Sequence, residues 1–283
     1  MEKKTIPLAV PDVGDEEINE IKKVFDTKFL TEGQTTKEFE EQVASYLGVK
    51  HAIAVTSCTT GLHAVFEGLD IKGQEVLVPD YTYPASAEAV VLAGGIPVIT
   101  DVDIDSMNMT TEILEEGYNE KMTVFEPVSW AGVPLESSIY KKSKDLGLKC
   151  LEDSACSLGA KIGDDYVGNI AEFSCFSFHP RKVITTGEGG MITTNNDEMA
   201  EFCHSYKHFG AKGSSFEILG TNYKLSNILS AIGLIQMKKI ENIVQTRIEK
   251  AKVYEELISK ITNLQRNDRQ NRWNQTCICW RWH

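Results

Sequence analysis

An α/β domain with a mostly parallel sheet is the fold class this sequence predicts, and three observations predict it. Short apolar runs, HAIAVTS at 51–57, EVLVP from residue 75, IPVITDVD from residue 96 and KCLE at 149–152, alternate with stretches of helical period. Residues able to do chemistry fall just beyond the ends of those runs, where α/β sheets carry their ligands. No internal repeat or low-complexity segment interrupts the alternation.

The 283 residues are 42% hydrophobic and 25% charged, ordinary for a globular protein, and support one large domain or one large and one partial domain. A net charge of −12 argues against a non-specific nucleic-acid binder. It leaves room for an anionic small substrate, because His179, Arg181 and Lys182 form a local positive patch. No run approaches the roughly 18 apolar residues of a membrane span, and the N-terminus lacks the apolar core of a signal peptide. Seven scattered cysteines without framework spacing predict a reduced, cytoplasmic protein. Cys277 and Cys279 form a lone CxC, and His204 and His208 lack the glutamate of an HExxH pair, so no metal site is expected.

The elements follow in order. Asp15 is placed to cap a helix with Ile18, Ile21, Val24 and Phe25 on one face. A loop from Thr31 to Gly33 leads to a second helix, Phe39, Val43, Tyr46 and Leu47 inward, stopped by Gly48. HAIAVTS runs into Cys58-Thr59-Thr60-Gly61 and a helix. Such a turn points free N–H groups at an anion, and the same residues also suit a plain βα turn capped by Thr. Tyr83 lies just past the next strand, before a helix ended by Gly94-Gly95. Thr110 or Thr111 caps a helix carrying Ile113, Leu114 and Tyr118. Residues 122–134 form a strand and loop, and a helix from Leu135 to Leu146 stops at Gly147. The strand from Lys149 ends at Asp153, which alone reads as a cap or a surface charge. Residues 195–210 are a capped helix. A long helix dominates 220–260, with Leu225, Ile228, Leu229, Ile232, Ile235 and Ile240 as its apolar face.

The stretch Phe173–Thr194 organises the rest. Its strand should end at His179-Pro180, because proline removes a backbone donor. Lys182 lies just beyond, and Met191-Ile192 restart a strand after the small residues 185–190. Alone, Lys182 reads most simply as a solvated cation; it also suits an amine held for Schiff-base chemistry. GEGG at 187–190 is no dinucleotide fingerprint, since a strand follows it.

SFHPRK (177–182) followed by TTGEGG (185–190) resembles the lysine segment of the DegT/DnrJ/EryC1/StrS family of sugar aminotransferases, fold-type-I enzymes dependent on pyridoxal phosphate (PLP). EDSACSLGA (152–160) and TNYKLSN (221–227) resemble two further segments of that family, and the likeness runs from about residue 5 to 262. The resemblance implies a large PLP-binding domain whose mostly parallel sheet is flanked by helices. It implies that Lys182 forms the Schiff base and shuttles a proton, and that Asp153 partners the pyridinium nitrogen. Thr59, Thr60 and Ser177 would hold the phosphate, with Cys58 alongside. Tyr83 would stack on the ring, and Cys156 would lie near the phenolic oxygen. Asn222 would reach the phosphate of a neighbouring subunit, hence a homodimer. Thr31, Gly33, His179 and Arg181 are the expected substrate-binding residues.

The implied reaction transfers an amino group, with glutamate as the expected donor, to a keto group on a nucleotide-linked sugar, for polysaccharide or glycoconjugate biosynthesis. A PLP-dependent sugar dehydratase is the first alternative, but those relatives carry histidine where Lys182 stands. A non-catalytic PLP-binding remnant is the second. A nucleotide-cofactor oxidoreductase would need a GxGxxG after a strand. The expected division is an N-terminal segment 1–30, a PLP-binding domain 31–235, a long helix 236–262, and a tail 263–283. That tail holds Trp273, Trp280 and Trp282 without period or turn logic. It is expected to be frame-shifted text in place of a small C-terminal domain, leaving an exposed apolar stripe, weak turnover and poor solubility.

Overall fold

The computed structural model describes residues 7–260. The predicted tail lies outside the described residues. A seven-stranded sheet runs in the order β1-β9-β8-β5-β4-β2-β3. Its strands are β1 (His51–Val55), β2 (Glu75–Pro79), β3 (Ile96–Thr100), β4 (Met122–Phe125), β5 (Lys149–Asp153), β8 (Phe173–Ser177) and β9 (Gly190–Thr194). Pairings from β3 through β8 are parallel, and β9 runs antiparallel to both its neighbours. Two small hairpins lie outside it, β6 (Lys161–Ile162) with β7 (Asp165–Tyr166), and β10 (Ala211–Lys212) with β11 (Ser215–Phe216).

Helices cover both faces, as parallel strands buried on two sides require. On one face, α3 (Cys58–Gly68), α4 (Ala85–Leu92) and α7 (Asp197–Tyr206) close a core that includes Leu62, Phe66, Val78, Phe173 and Ile192. On the other, α2 (Gln34–Leu47) and α8 (Asn227–Ile258) close a second core of Phe39, Val43, Phe176, Phe178 and Met237. A third cluster, with Leu77, Leu114, Phe125 and Ile139, packs beneath α5 (Thr111–Gly117) and α6 (Ser137–Asp145).

Two local expectations are corrected. In α1 (Asp15–Thr27) the N-cap is Gly14, not Asp15, and the Gly14 amide donates to Glu17 at 2.8 Å. Of its expected apolar face Val24 is buried, while Ile18 and Phe25 are exposed. The helix meets α8 partly through charge, Lys239 reaching Glu16 and Glu17 at 3.0 and 2.8 Å, so only a narrow ridge is covered. The second correction concerns α8, which starts at Asn227, so the expected boundary at 235/236 falls inside one helix. Its buried stripe mixes Ile235, Met237 and Ile240 with Asn227, Ser230, Gly233 and Gln236. Gly233 lets Phe39 close in; a Cβ there would lie 2.5 Å from the ring.

Candidate active site

Register brings one edge of the sheet together. Gly190, the first residue of β9, pairs with Val55 at the end of β1 and with Ser177 at the end of β8. Asp153, the last residue of β5, pairs with Cys175, two residues before Ser177. Thus Ser177, Asp153 and the start of α3 all border one rim.

At the α3 N-terminus Ser57 is the cap, accepting the Thr60 amide at 3.1 Å. Thr60, expected to hold a phosphate, has a hydroxyl that is engaged locally in this structure. That hydroxyl accepts the Ser57 amide at 3.0 Å and donates to the Ser57 carbonyl at 2.9 Å, completing a capping box. What the turn offers an anion is the Thr59 hydroxyl and the amides of Cys58 and Thr59, which have no carbonyl one turn back to donate to. Gly190 presses against this turn: a Cβ there would lie 2.4 Å from the Ser57 carbonyl carbon and 2.6 Å from the Cys58 nitrogen. Only glycine lets β9 enter beside the cradle.

Asp153 is buried, and two donors reach its carboxylate while a thiol lies alongside. Ser86 Oγ donates to Oδ2 at 2.9 Å, and the Ala155 amide to Oδ1 at 3.1 Å. Cys58 Sγ approaches Oδ1 at 3.7 Å while also lying 3.3 Å from the Cys175 carbonyl. Burial, then the charge of Asp153, push the Cys58 thiol well up, so it stays a donor. A carboxylate has about four acceptor positions, and the single thiol hydrogen serves the nearer Cys175 carbonyl, so two places on Asp153 are left, one of them for an N–H. Tyr83, exposed just before α4, joins this corner through its carbonyl, which accepts the Ser86 amide at 3.2 Å.

Lys182 comes to the same rim on the turn between β8 and β9. Its amine lies 3.1 Å from Cys156 Sγ. Burial works to lower its pKa, but Cys156, Asp153 and Cys58 outweigh it and hold the ammonium above its ordinary value. The turn is closed by Lys182 N–H donating to His179 O at 2.9 Å and Thr186 N–H to Phe178 O at 3.0 Å. His179 Nδ1 accepts the amide of exposed Arg181 at 3.2 Å, while Ser177 Oγ accepts the His179 amide at 3.3 Å. From α8, Arg247 donates to Lys182 O at 3.1 Å, and Gln236 Oε1 accepts the Thr185 amide at 3.3 Å.

Thr31, Gly33 and Asn222 belong to a second cluster. Thr31 O accepts the Asn227 amide at 3.3 Å, and Asn222 bridges His208. Lys207, between them and 1% exposed, reaches Glu32 at 2.9 Å, Glu40 at 3.0 Å and the Ala54 carbonyl at 3.0 Å. The Glu32 contact is an ion pair without aligned hydrogen-bond geometry. No described contact joins these three residues to Lys182 or Asp153 within this chain.

Sequence reasoning missed Ser86, Gln236, Arg247 and Lys207. Ser86 sits in the first turn of α4 and carried no motif. Gln236 and Arg247 lie eleven residues apart, three helical turns on one face of α8, but a polar pair inside an apolar stripe points to no particular partner.

The residues at the rim suit a PLP site: an amine on a short turn, a carboxylate with an acceptor place left open, and a helix N-terminus beside them. An α/β fold with that rim defines the class of PLP-dependent aminotransferases. The comparisons narrow it. The DegT/DnrJ/EryC1/StrS aminotransferase family matches residues 11–281, and the chain belongs to that family, whose cofactor is PLP. The matched span reaches into the tail that the sequence reading set apart. GDP-perosamine synthase of Caulobacter vibrioides is 34% identical over 264 residues, covering 91% of this chain and 71% of that protein. PseC of Helicobacter pylori, an aminotransferase of pseudoaminic acid biosynthesis, superposes with a TM-score of 0.86 at 30% identity, covering 92% of this chain and 72% of that one. Spr1654 of Streptococcus pneumoniae, in its PLP form, gives 0.84 at 26%, covering 91% and 72%.

Proposed function

We propose that this chain aminates a keto group on a nucleotide-linked sugar, with glutamate as amino donor, in the making of amino sugars for polysaccharides or glycoconjugates. The observation that carries the reading is the placement of the Lys182 amine and the Asp153 carboxylate on one rim beside the α3 N-terminus. PLP, when bound, supplies an aldehyde for the lysine and a cationic ring that accepts electrons. Asp153 keeps a proton on the ring nitrogen. Thr59 and Thr60, the amides of Cys58 and Thr59, and Ser177 take the phosphate. Tyr83 lies against the ring, and Cys156 stands beside the amine of Lys182. Lys182, freed by the amino donor, moves a proton as base and then as acid. Thr31, Gly33, His179 and Arg181 meet the substrate. Asn222 serves the site of a second copy, so the working form is a homodimer, in the cytoplasm.

Among the described residues no helix is long and apolar enough to cross a membrane. Lysine at 182 favours amination over the dehydratase alternative. The test is an absorbance titration with PLP, wild type against Lys182→Ala, followed by one round of amination with glutamate. An imine band present only in the wild type, and amino sugar formed in a single turnover, are the expected results. Equal bands in both proteins refute Lys182, and a band without turnover marks a PLP-binding protein that is no enzyme.

A further inference from the structure

Two glutamates lie close to Asp153 in the interior, and the fold treats them differently. Glu152, on the opposite face of β5, has dedicated donors in Ser129 Oγ and Tyr140 OH, the latter at 2.9 Å. Glu126 has none. It is 0% exposed, and neither carboxyl oxygen has a hydrogen-bond partner among the described residues. It follows directly on β4, where its own amide donates to Leu77 O at 2.8 Å. The next residues grip Asp153: its amide donates to Pro127 O at 2.9 Å, its carbonyl accepts the Ser129 amide at 3.1 Å, and Val128 pairs with it. The titratable groups facing Glu126 are Asp153 from β5, Cys58 from α3 and Cys175 from β8.

An ionised carboxylate in that place would cost several kcal/mol of desolvation and would face a second anion. Burial, then the charge of Asp153, push the Glu126 carboxyl well above the usual carboxylate range. A neutral acid, however, is a donor. The thiols around it accept weakly, so the strong acceptor among the groups that interact with it is the Asp153 carboxylate.

We propose that Glu126 is a positioning residue for Asp153: it stays a neutral acid and lends its proton to the Asp153 carboxylate, directly or across one bridging water, so that this corner carries a single negative charge, on Asp153. The two carboxyls form a pair sharing one proton, as closely set carboxyls do elsewhere. Glu126 thereby sets how readily Asp153 remains an anion for the ring nitrogen. The proposal rests on the reading of Asp153 given above.

The test uses the wild type, Glu126→Gln, Glu126→Leu and Asp153→Asn. Infrared spectra should show the carbonyl stretch of a neutral carboxylic acid in the wild type and lose it in both Glu126 variants; no such loss overturns the proposal whatever PLP does. In PLP titrations Glu126→Leu, which removes the donor, should bind about tenfold more weakly, the worth of one hydrogen bond to a charged group. It should also shift the pH midpoint of the cofactor absorbance while melting no lower than wild type. Glu126→Gln keeps an N–H donor and should stay within about threefold of wild type. Wild-type affinity in Glu126→Leu, or equal weakening in both variants, overturns the proposal. Weakening in Asp153→Asn with none in Glu126→Leu overturns it alone. PLP binding indifferent to Asp153→Asn overturns the reading of Asp153 and this inference with it.

Discussion

Replacing Lys207 with methionine tests how the second cluster is held together. Its ammonium is fully buried and meets two carboxylates and a carbonyl, each near 3 Å, on three separate elements: the loop at Glu32, α2 at Glu40 and β1 at Ala54. Glu40 Oε1 also accepts the Ala54 amide at 2.7 Å. Methionine matches the volume but leaves two carboxylates, 22% and 13% exposed, without their cation. Breaking a buried pair from one side costs about 3–5 kcal/mol, much of it the desolvation of the charge left behind. At roughly 2–3 °C per kcal/mol for a chain of this size, the melting temperature should fall by about 6–15 °C.

The measurement is differential scanning calorimetry or a urea melt of Lys207→Met, alone and combined with Glu40→Gln. Glutamine keeps an oxygen for the Ala54 amide but carries no charge. If stranded charge is the cause, the double variant should regain at least about 1 kcal/mol relative to Lys207→Met, a coupling of the size contacting residues show. A single variant that melts within about 2 °C of wild type, or a double variant that simply adds a second loss, would refute the reasoning.

Three further outcomes follow from the contacts. Gly190→Ala should lose about 1–3 kcal/mol of stability through overpacking, and should weaken PLP binding because the clash falls on Ser57 and Cys58; circular dichroism melts and cofactor titration read both. Arg247→Met should slow formation of the imine band and lower kcat more than it raises KM, since it frees the backbone of Lys182. Glu17 has its pKa lowered from 4.5 to about 2: burial pushes it up, and Lys239, Gln236 and the Gly14 amide overcome that. A depressed folded-state value stabilises above the unfolded pKa and is lost as pH falls. Stability should therefore decline between pH 4.5 and about 2, and Glu17→Gln should show a shallower decline in that window in pH-dependent melts.

Much of this was legible because the fold is written in short apolar runs. The strands at 51, 75, 96, 149 and 173 fell where the sequence put them, since each is an apolar stretch bounded by a breaker. Gly48 ends α2 with φ at 72°, as its place after the last apolar residue predicts. The failures share a cause. The capping box between Ser57 and Thr60 went unread because the sequence does not reveal which of these small residues would engage first. Ile18 and Phe25 looked inward because periodicity marks an apolar face without saying how much of it is covered. Glu126 was passed over because a glutamate after a strand ordinarily meets water, and burial is settled only when the sheet assembles. Asp153 and Lys182 were read from motif likeness; their common rim depends on strand order, which no local pattern encodes.

That rim depends on the reversed strand. Along β2, β4, β5 and β8 the parallel direction delivers every strand end to the same edge, and helices return the chain across the faces. Had the strand after Ser177 also been parallel, its crossover would have carried residues 178–189 over a face of the sheet and away from the edge. Because β9 instead runs antiparallel between β8 and β1, the chain turns back at the rim, and Lys182 stays on it. Its entry there requires Gly190, since any side chain would strike the Ser57 turn. One reversal therefore keeps the amine, the carboxylate at the end of β5 and the α3 N-terminus after β1 on a single side of the molecule. A circular permutant opened at Gly187, which leaves β8 and β9 paired but cuts this connection, should keep its fold while the imine band becomes slow to form; a permutant with wild-type imine kinetics would show that strand order alone, without the tight turn, is enough to aim Lys182.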